Sequence, residues 1–247
     1  MKRIEFFGPM GSGKSTLFSD LIKSKSLSGI VNAKQEVYDI LLNQVKQNSK
    51  IKYFLLRLLF HTPIKDRVFS NYDFYHYLKG DKEADDLLNY VLNDLNVILK
   101  SDKAKCLVRL NYLLKDLSDL ILVKNFSNKR LIVHDESLIQ RGLSLALDGS
   151  LKLYESYFDH TILPDGVIFI KSPLNILKTR ILSREINNSG FNGKKPHSKK
   201  EIEDALNISE NIHSILKKKN IKLLILDGTK SINENTKIIH DWINENF

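Results

Sequence analysis

Apolar residues along the chain fall into two kinds of run, and each predicts its own element. Ile4 to Phe7, Leu131-Ile132-Val133, Val167-Ile168-Phe169-Ile170 and Ile221 to Leu226 are short, nearly unbroken and closed by polar or turn residues. Such runs predict buried strands. Gly29 to Lys34 holds a further short strand. Elsewhere the apolar positions recur every three or four residues. Leu17, Leu21 and Ile22 predict a helix over Thr16 to Lys25, and Val37, Ile40, Leu41 and Val45 predict another. Phe54, Leu55, Leu58 and Leu59 continue the helical pattern. Two stripes are longer: Ala84, Leu87, Leu88, Val91, Leu92, Leu95, Ile98 and Leu99, then Leu107, Leu110, Leu113, Leu114, Leu117 and Leu120.

The boundaries carry their own signals. Ser172-Pro173 predicts an N-cap followed by the first helical residue. Ser198-x-x-Glu201 and Ser231-x-x-Glu234 have the form of capping boxes. Unbroken strands separated by helices predict a parallel sheet covered on both faces. The fold class that follows is three-layer α/β, one domain over residues 1–247, with a large helical insertion at about 35–125.

Composition changes this picture little. The 247 residues carry a formal charge of +9, but the lysines are scattered rather than striped. A single cysteine, Cys106, excludes an intrachain disulfide and reads as a small core residue. The start, Met1-Lys2-Arg3 and then Ile4 to Phe7, is too short for a secretory core. The longest apolar stretch, Tyr53 to Phe60, is broken by Arg57 and far shorter than a membrane span. The expectation is a soluble, cytoplasmic protein with no membrane insertion.

The chemistry concentrates where the first strand meets the first helix. Gly8-Pro9-Met10-Gly11-Ser12-Gly13-Lys14-Ser15, followed by Thr16, satisfies the P-loop pattern in its required strand–loop–helix setting. The glycines let backbone N–H groups turn inward around phosphates, and the helix start adds its positive end. Lys14 is placed to reach the β- and γ-phosphates of ATP, and Ser15 offers a hydroxyl to Mg²⁺. A second apolar strand ends in Asp135-Glu136. Asp135 is the candidate to hold Mg²⁺, through water. Glu136 is a candidate base or metal assistant, or one of the two acids caps the next helix.

With these residues in view, the chain resembles the P-loop kinases of the nucleoside and nucleoside-monophosphate kinase group, over the first 25 residues and about 130 to 247. The phosphate loop is similar. So is the passage from Val167-Ile168-Phe169-Ile170 through Ser172-Pro173 to Arg180 and Arg184. The resemblance implies that Arg180 and Arg184, four apart on one helix face, close over the transferred phosphate. It also implies that the loop at Asp227-Gly228-Thr229 contacts adenine. The polar stretch Asn187 to Lys200, with Lys194, Lys195, His197, Lys199 and Lys200, is a candidate lid within about 180–200. One departure is the absence of an arginine beside the acid after the third strand; Arg141 comes later and is an acceptor candidate. Arg57, Arg67 and Tyr72, within an aromatic group of Phe69, Phe74, Tyr75 and Tyr77, are the others.

These readings converge on a P-loop NTPase fold and an ATP-dependent kinase for a nucleotide-like or sugar-type small molecule. An ATPase switch is the alternative, and a nucleic-acid end kinase a second. The ATPase lacks a Ser-Gly-Gly-Gln signature ahead of residue 131, and the end kinase lacks a basic–aromatic recognition motif. A GTPase is disfavoured because Asn128-Lys129 is followed by Arg130-Leu131 rather than x-Asp.

Overall fold

The computed structural model describes residues 1–24, 29–50, 53–54, 75–98, 103–147, 154–188 and 198–247. In chain order the elements are β1 (Lys2–Phe7), α1 (Lys14–Lys23), β2 (Ile30–Asn32), α2 (Ala33–Asn48), α3 (Tyr75–Leu78), α4 (Lys82–Ile98), α5 (Lys103–Phe126), β3 (Leu131–His134), α6 (Leu138–Leu147), α7 (Tyr154–His160), β4 (Gly166–Lys171), α8 (Leu174–Asn188), α9 (Lys199–Lys218), β5 (Lys222–Asp227) and α10 (Ile232–Asn246). The five strands form one sheet in the order β2-β3-β1-β4-β5, and every pairing is parallel.

Successive residues of a strand point to opposite faces, so an unbroken apolar strand needs cover on both sides. On β1, Ile4 and Phe6 join Leu17 and Leu21 of α1 and Ile239 and Ile243 of α10. Phe7 points the other way, into a larger core with Leu113 and Leu117 of α5, Leu138 of α6 and Ile212 of α9. On β4, Ile168 and Ile170 face the first core, while Val167 and Phe169 face the second. Phe7 and Phe169 stack across the β1–β4 pair with ring centroids 5.4 Å apart.

That side of β1 also carries a buried ion pair. Arg3 Nη1 donates to Glu5 Oε1 at 2.8 Å, and Glu5 Oε2 accepts the Ile139 N–H at 3.0 Å. A further Arg3 nitrogen donates to the Ile162 carbonyl. Burial pushes the Glu5 carboxyl up, opposed by Arg3 and the Ile139 N–H. Each ion thus has the hydrogen bonds that burial demands. The Ile139 bond also fastens the first turn of α6, directly after Asp135 and Glu136.

Several sequence expectations shift. The helix after β4 opens at Pro173, whose carbonyl accepts the Leu177 N–H at 3.1 Å. Ser172 directs its hydroxyl to the Ser12 carbonyl at 3.5 Å instead of capping the helix. Ala84, Leu87 and Val91 of α4 are fully buried, but Leu92 is 47% exposed because a helix in an outer layer turns only one stripe inward. Leu107 is 60% exposed, since α5 runs 24 residues and meets the core from about Leu113 onward. Lys199 and Lys200 belong to the first turn of α9 rather than to a loop. Ser198 and Glu201 start that helix with a complete capping box. Helix α7 carries no long periodic signal and is held by its fully buried Tyr157 and Phe158. The Cys106 side chain lies outside the described residues.

Candidate active site

The site sits where β1 and β3 end side by side. Glu5 pairs with His134 in register, so the chain leaving β1 at Gly8 and the chain leaving β3 at Asp135 emerge together. This is the carboxyl edge of a parallel sheet, where open α/β folds bind ligands.

Gly13 occupies the N-cap of α1 with φ 103° and ψ 9°, a left-handed conformation that a side chain would strain. Lys14 follows and is buried. Its Nζ donates to the carbonyls of Gly8 at 2.9 Å and Pro9 at 3.3 Å, and lies 3.8 Å from Glu136 Oε1. The loop holds its own lysine curled across its mouth. Ser15 and Thr16 are exposed at the start of α1.

Ser15 lies beside Asp135, close enough for its hydroxyl to favour the ionised carboxylate. Burial, and then the adjacent Glu136, push the Asp135 carboxyl up, while Ser15, Lys14 and Lys34 pull it down. Its Oδ1 is buried with no hydrogen-bond partner. A hydroxyl beside a carboxylate with an unsatisfied oxygen is an oxygen donor set that fits a hard divalent cation such as Mg²⁺, with phosphate and water completing the shell. Glu136 is exposed and faces Lys14. His134, one residue earlier, packs into the sheet; burial, and then the Arg3 charge, push its imidazole down to about 3, so it stays neutral.

Arg180 reaches the phosphate loop from α8. Its Nη1 donates to the carbonyls of Ser12 at 3.2 Å and Gly11 at 3.4 Å, and its Nη2 donates to the Gly228 carbonyl at 2.8 Å. Beside it a cleft of about 350 Å³ opens between the phosphate loop and the segment after β5, lined by Gly13, Thr16, Arg180, Lys230 and Asn235 among others. Met10 packs on Leu177, Ile181 and Ile202, which anchors the outer side of the loop.

The acceptor candidates divide. Arg141 on α6 is engaged by Asp116 of α5 at 2.5 Å and lies 5.2 Å from the Tyr112 ring centre. Tyr77 donates to Gln44 Oε1 at 2.7 Å and meets Phe126 edge-on, a packing role between α2 and α5. Arg57, Arg67, Tyr72, Phe69 and Phe74 lie outside the described residues, as do Lys194, Lys195, His197 and the side chains of Tyr75 and Arg184. The sequence reading passed over Arg3, Glu5, Asp116 and Asp119. A charge inside an otherwise apolar strand, as at Glu5, is the one available signal.

No family model and no curated protein matches this sequence. Among solved structures, the chain is similar to a deoxyadenosine kinase from M. mycoides with bound dATP, at 15% identity and a TM-score of 0.52, over 99% of this chain and 100% of that one. A structure of the same kinase with bound dCTP gives 14% identity and a TM-score of 0.49, over 98% and 99%. The likeness is one of fold: a parallel five-stranded sheet flanked by helices, as in P-loop nucleoside kinases.

Proposed function

We propose that this protein is a cytoplasmic, ATP-dependent kinase that phosphorylates a hydroxyl of a small nucleoside-like or sugar-type molecule. The carrying observation is the convergence of Lys14, Ser15, Asp135 and Glu136 at the mouth of one phosphate loop, with Lys14 Nζ 3.8 Å from Glu136. That the solved deoxyadenosine kinase shares this fold supports a nucleoside-like acceptor.

In this reading Lys14 leaves the Gly8 and Pro9 carbonyls for the β- and γ-phosphate oxygens of ATP. Ser15 and Asp135 hold Mg²⁺, which when bound offsets the charge of those phosphates. Glu136 takes the proton of the acceptor hydroxyl. The bond from the γ-phosphorus to its bridging oxygen breaks, a bond to the acceptor oxygen forms, and ADP departs. Arg184, one turn beyond Arg180, is the candidate for contact with the transferring group.

The test is incubation with Mg-ATP and a panel of nucleosides, deoxynucleosides and sugars, read by mass spectrometry, with Lys14→Ala alongside. A phosphorylated product made by the unmutated protein, and reduced by about a hundredfold or more in the variant, is expected from the loss of a group acting on the transferring phosphate. ATP consumption with no phosphorylated product would replace this reading with an ATPase.

A further inference from the structure

Among the described residues, Arg180 meets main-chain oxygens and no acidic side chain. It spends three donor positions on main-chain oxygens from two separate loops. We propose that Arg180 is a positioning residue that clamps the phosphate loop to the segment after β5 and so sets the direction of the loop's N–H groups.

A trans peptide is planar, with its C=O and N–H on opposite sides. Holding the Ser12 carbonyl outward therefore aims the Gly13 N–H the other way, into the hollow of the loop. Arg180 holds that carbonyl at 3.2 Å, and the Ser172 hydroxyl approaches it at 3.5 Å. The neighbouring Ser12 N–H is already committed to the Pro9 carbonyl at 3.2 Å within the loop's turn. The Ser12–Gly13 peptide is thus the one whose orientation depends on what grips it from outside.

The other end of the clamp is equally specific. The Gly228 N–H donates to the Lys171 carbonyl at 2.7 Å, which brings this segment against the end of β4. A Cβ added at Gly228 would lie 2.0 Å from Ser172 Oγ and 3.0 Å from the Ser12 carbonyl oxygen. Glycine is what lets the two loops approach closely enough for one guanidinium to span them. A planar fork with five donors can serve three oxygens at fixed angles, whereas an ammonium on a flexible stem cannot hold both loops in register.

The consequence for nucleotide rests on the kinase reading above; the clamp itself does not. Arg180→Lys and, from the opposite side, Gly228→Ala are compared with the unmutated chain by hydrogen exchange without nucleotide, by ADP and ATP titration, and by steady-state kinetics. Faster exchange centred on Ser12–Lys14 and Gly228–Lys230 is expected in both variants, with the melting temperature little changed in Arg180→Lys and lowered by several degrees in Gly228→Ala, whose added Cβ has no room. ADP and ATP are expected to bind about tenfold more weakly, to the same extent, as for a lost charged hydrogen bond, with kcat at saturating ATP little altered. Unchanged exchange in both segments overturns the clamp. So does a kcat loss with ADP affinity intact, which would put Arg180 on the transferring phosphoryl group. If the unmutated protein binds neither nucleotide, the kinase reading fails and the nucleotide-free exchange alone decides the clamp.

Discussion

Asp119 shows how strongly one buried group can couple this protein to pH. It lies one turn beyond Asp116 on α5, and its Oδ1 is buried without a partner. Burial pushes its carboxyl from 3.8 to about 7, with Lys115 pulling it down and Asp116 pushing it up. A carboxyl raised in the folded state stabilises below its unfolded pKa, and that contribution is lost as the pH rises through the folded value. The loss therefore runs from about pH 4 to about 7. Asp119→Asn removes the penalty of ionising in place. Urea denaturation should find the variant more stable than the parent by on the order of 1–3 kcal/mol at pH 8, after allowance for partial exposure and nearby lysines, and no more stable at pH 4. No sequence pattern marks Asp119, because only packing decides whether an acid on a helix faces water. Lys14 and Ser15 differ: they stand out as candidates because the P-loop spacing is itself a local backbone geometry, and Asp135 because it follows a short unbroken apolar strand.

Elements were legible where local forces are enough to make them. Ser231 and Glu234 form a complete capping box at the start of α10. That helix packs on α1, with the Thr236 hydroxyl donating to Asp20 Oδ2 at 2.7 Å and Ser24 Oγ 2.8 Å from His240 Nε2. Ser231→Ala should cost about 1 kcal/mol in denaturant unfolding, with the m-value unchanged. A larger loss would mean that the cap also fixes how α10 braces the P-loop helix. Ser198 and Glu201 were equally readable and start α9 as expected. Ser172 was misread for the same kind of reason that Asp119 was missed: its hydroxyl has a choice of acceptors, and the nearby Ser12 carbonyl is supplied by a loop far away in sequence.

At the scale of the molecule, ligand and fold should report on one another. Anything that binds only the folded chain stabilises it by mass action. Mg-ADP at a hundred times its dissociation constant should add about 2.7 kcal/mol and raise the melting temperature by roughly 5–11 °C for a chain of this size, a shift that Lys14→Ala should abolish. A shift that survives in the variant would place the nucleotide elsewhere. By itself the sequence determined the P-loop, the strand and helix types, the α/β class and the acid that ends β3, because each depends on residues close together in the chain. The tertiary structure decided the order β2-β3-β1-β4-β5, and with it the meeting of Lys14 with Glu136, the Ser15–Asp135 contact and the grip of Arg180 on two loops. These contacts join segments up to 169 positions apart. Their partners are chosen by which faces of the sheet and helices must be buried together, a property of the packed whole that no local pattern encodes.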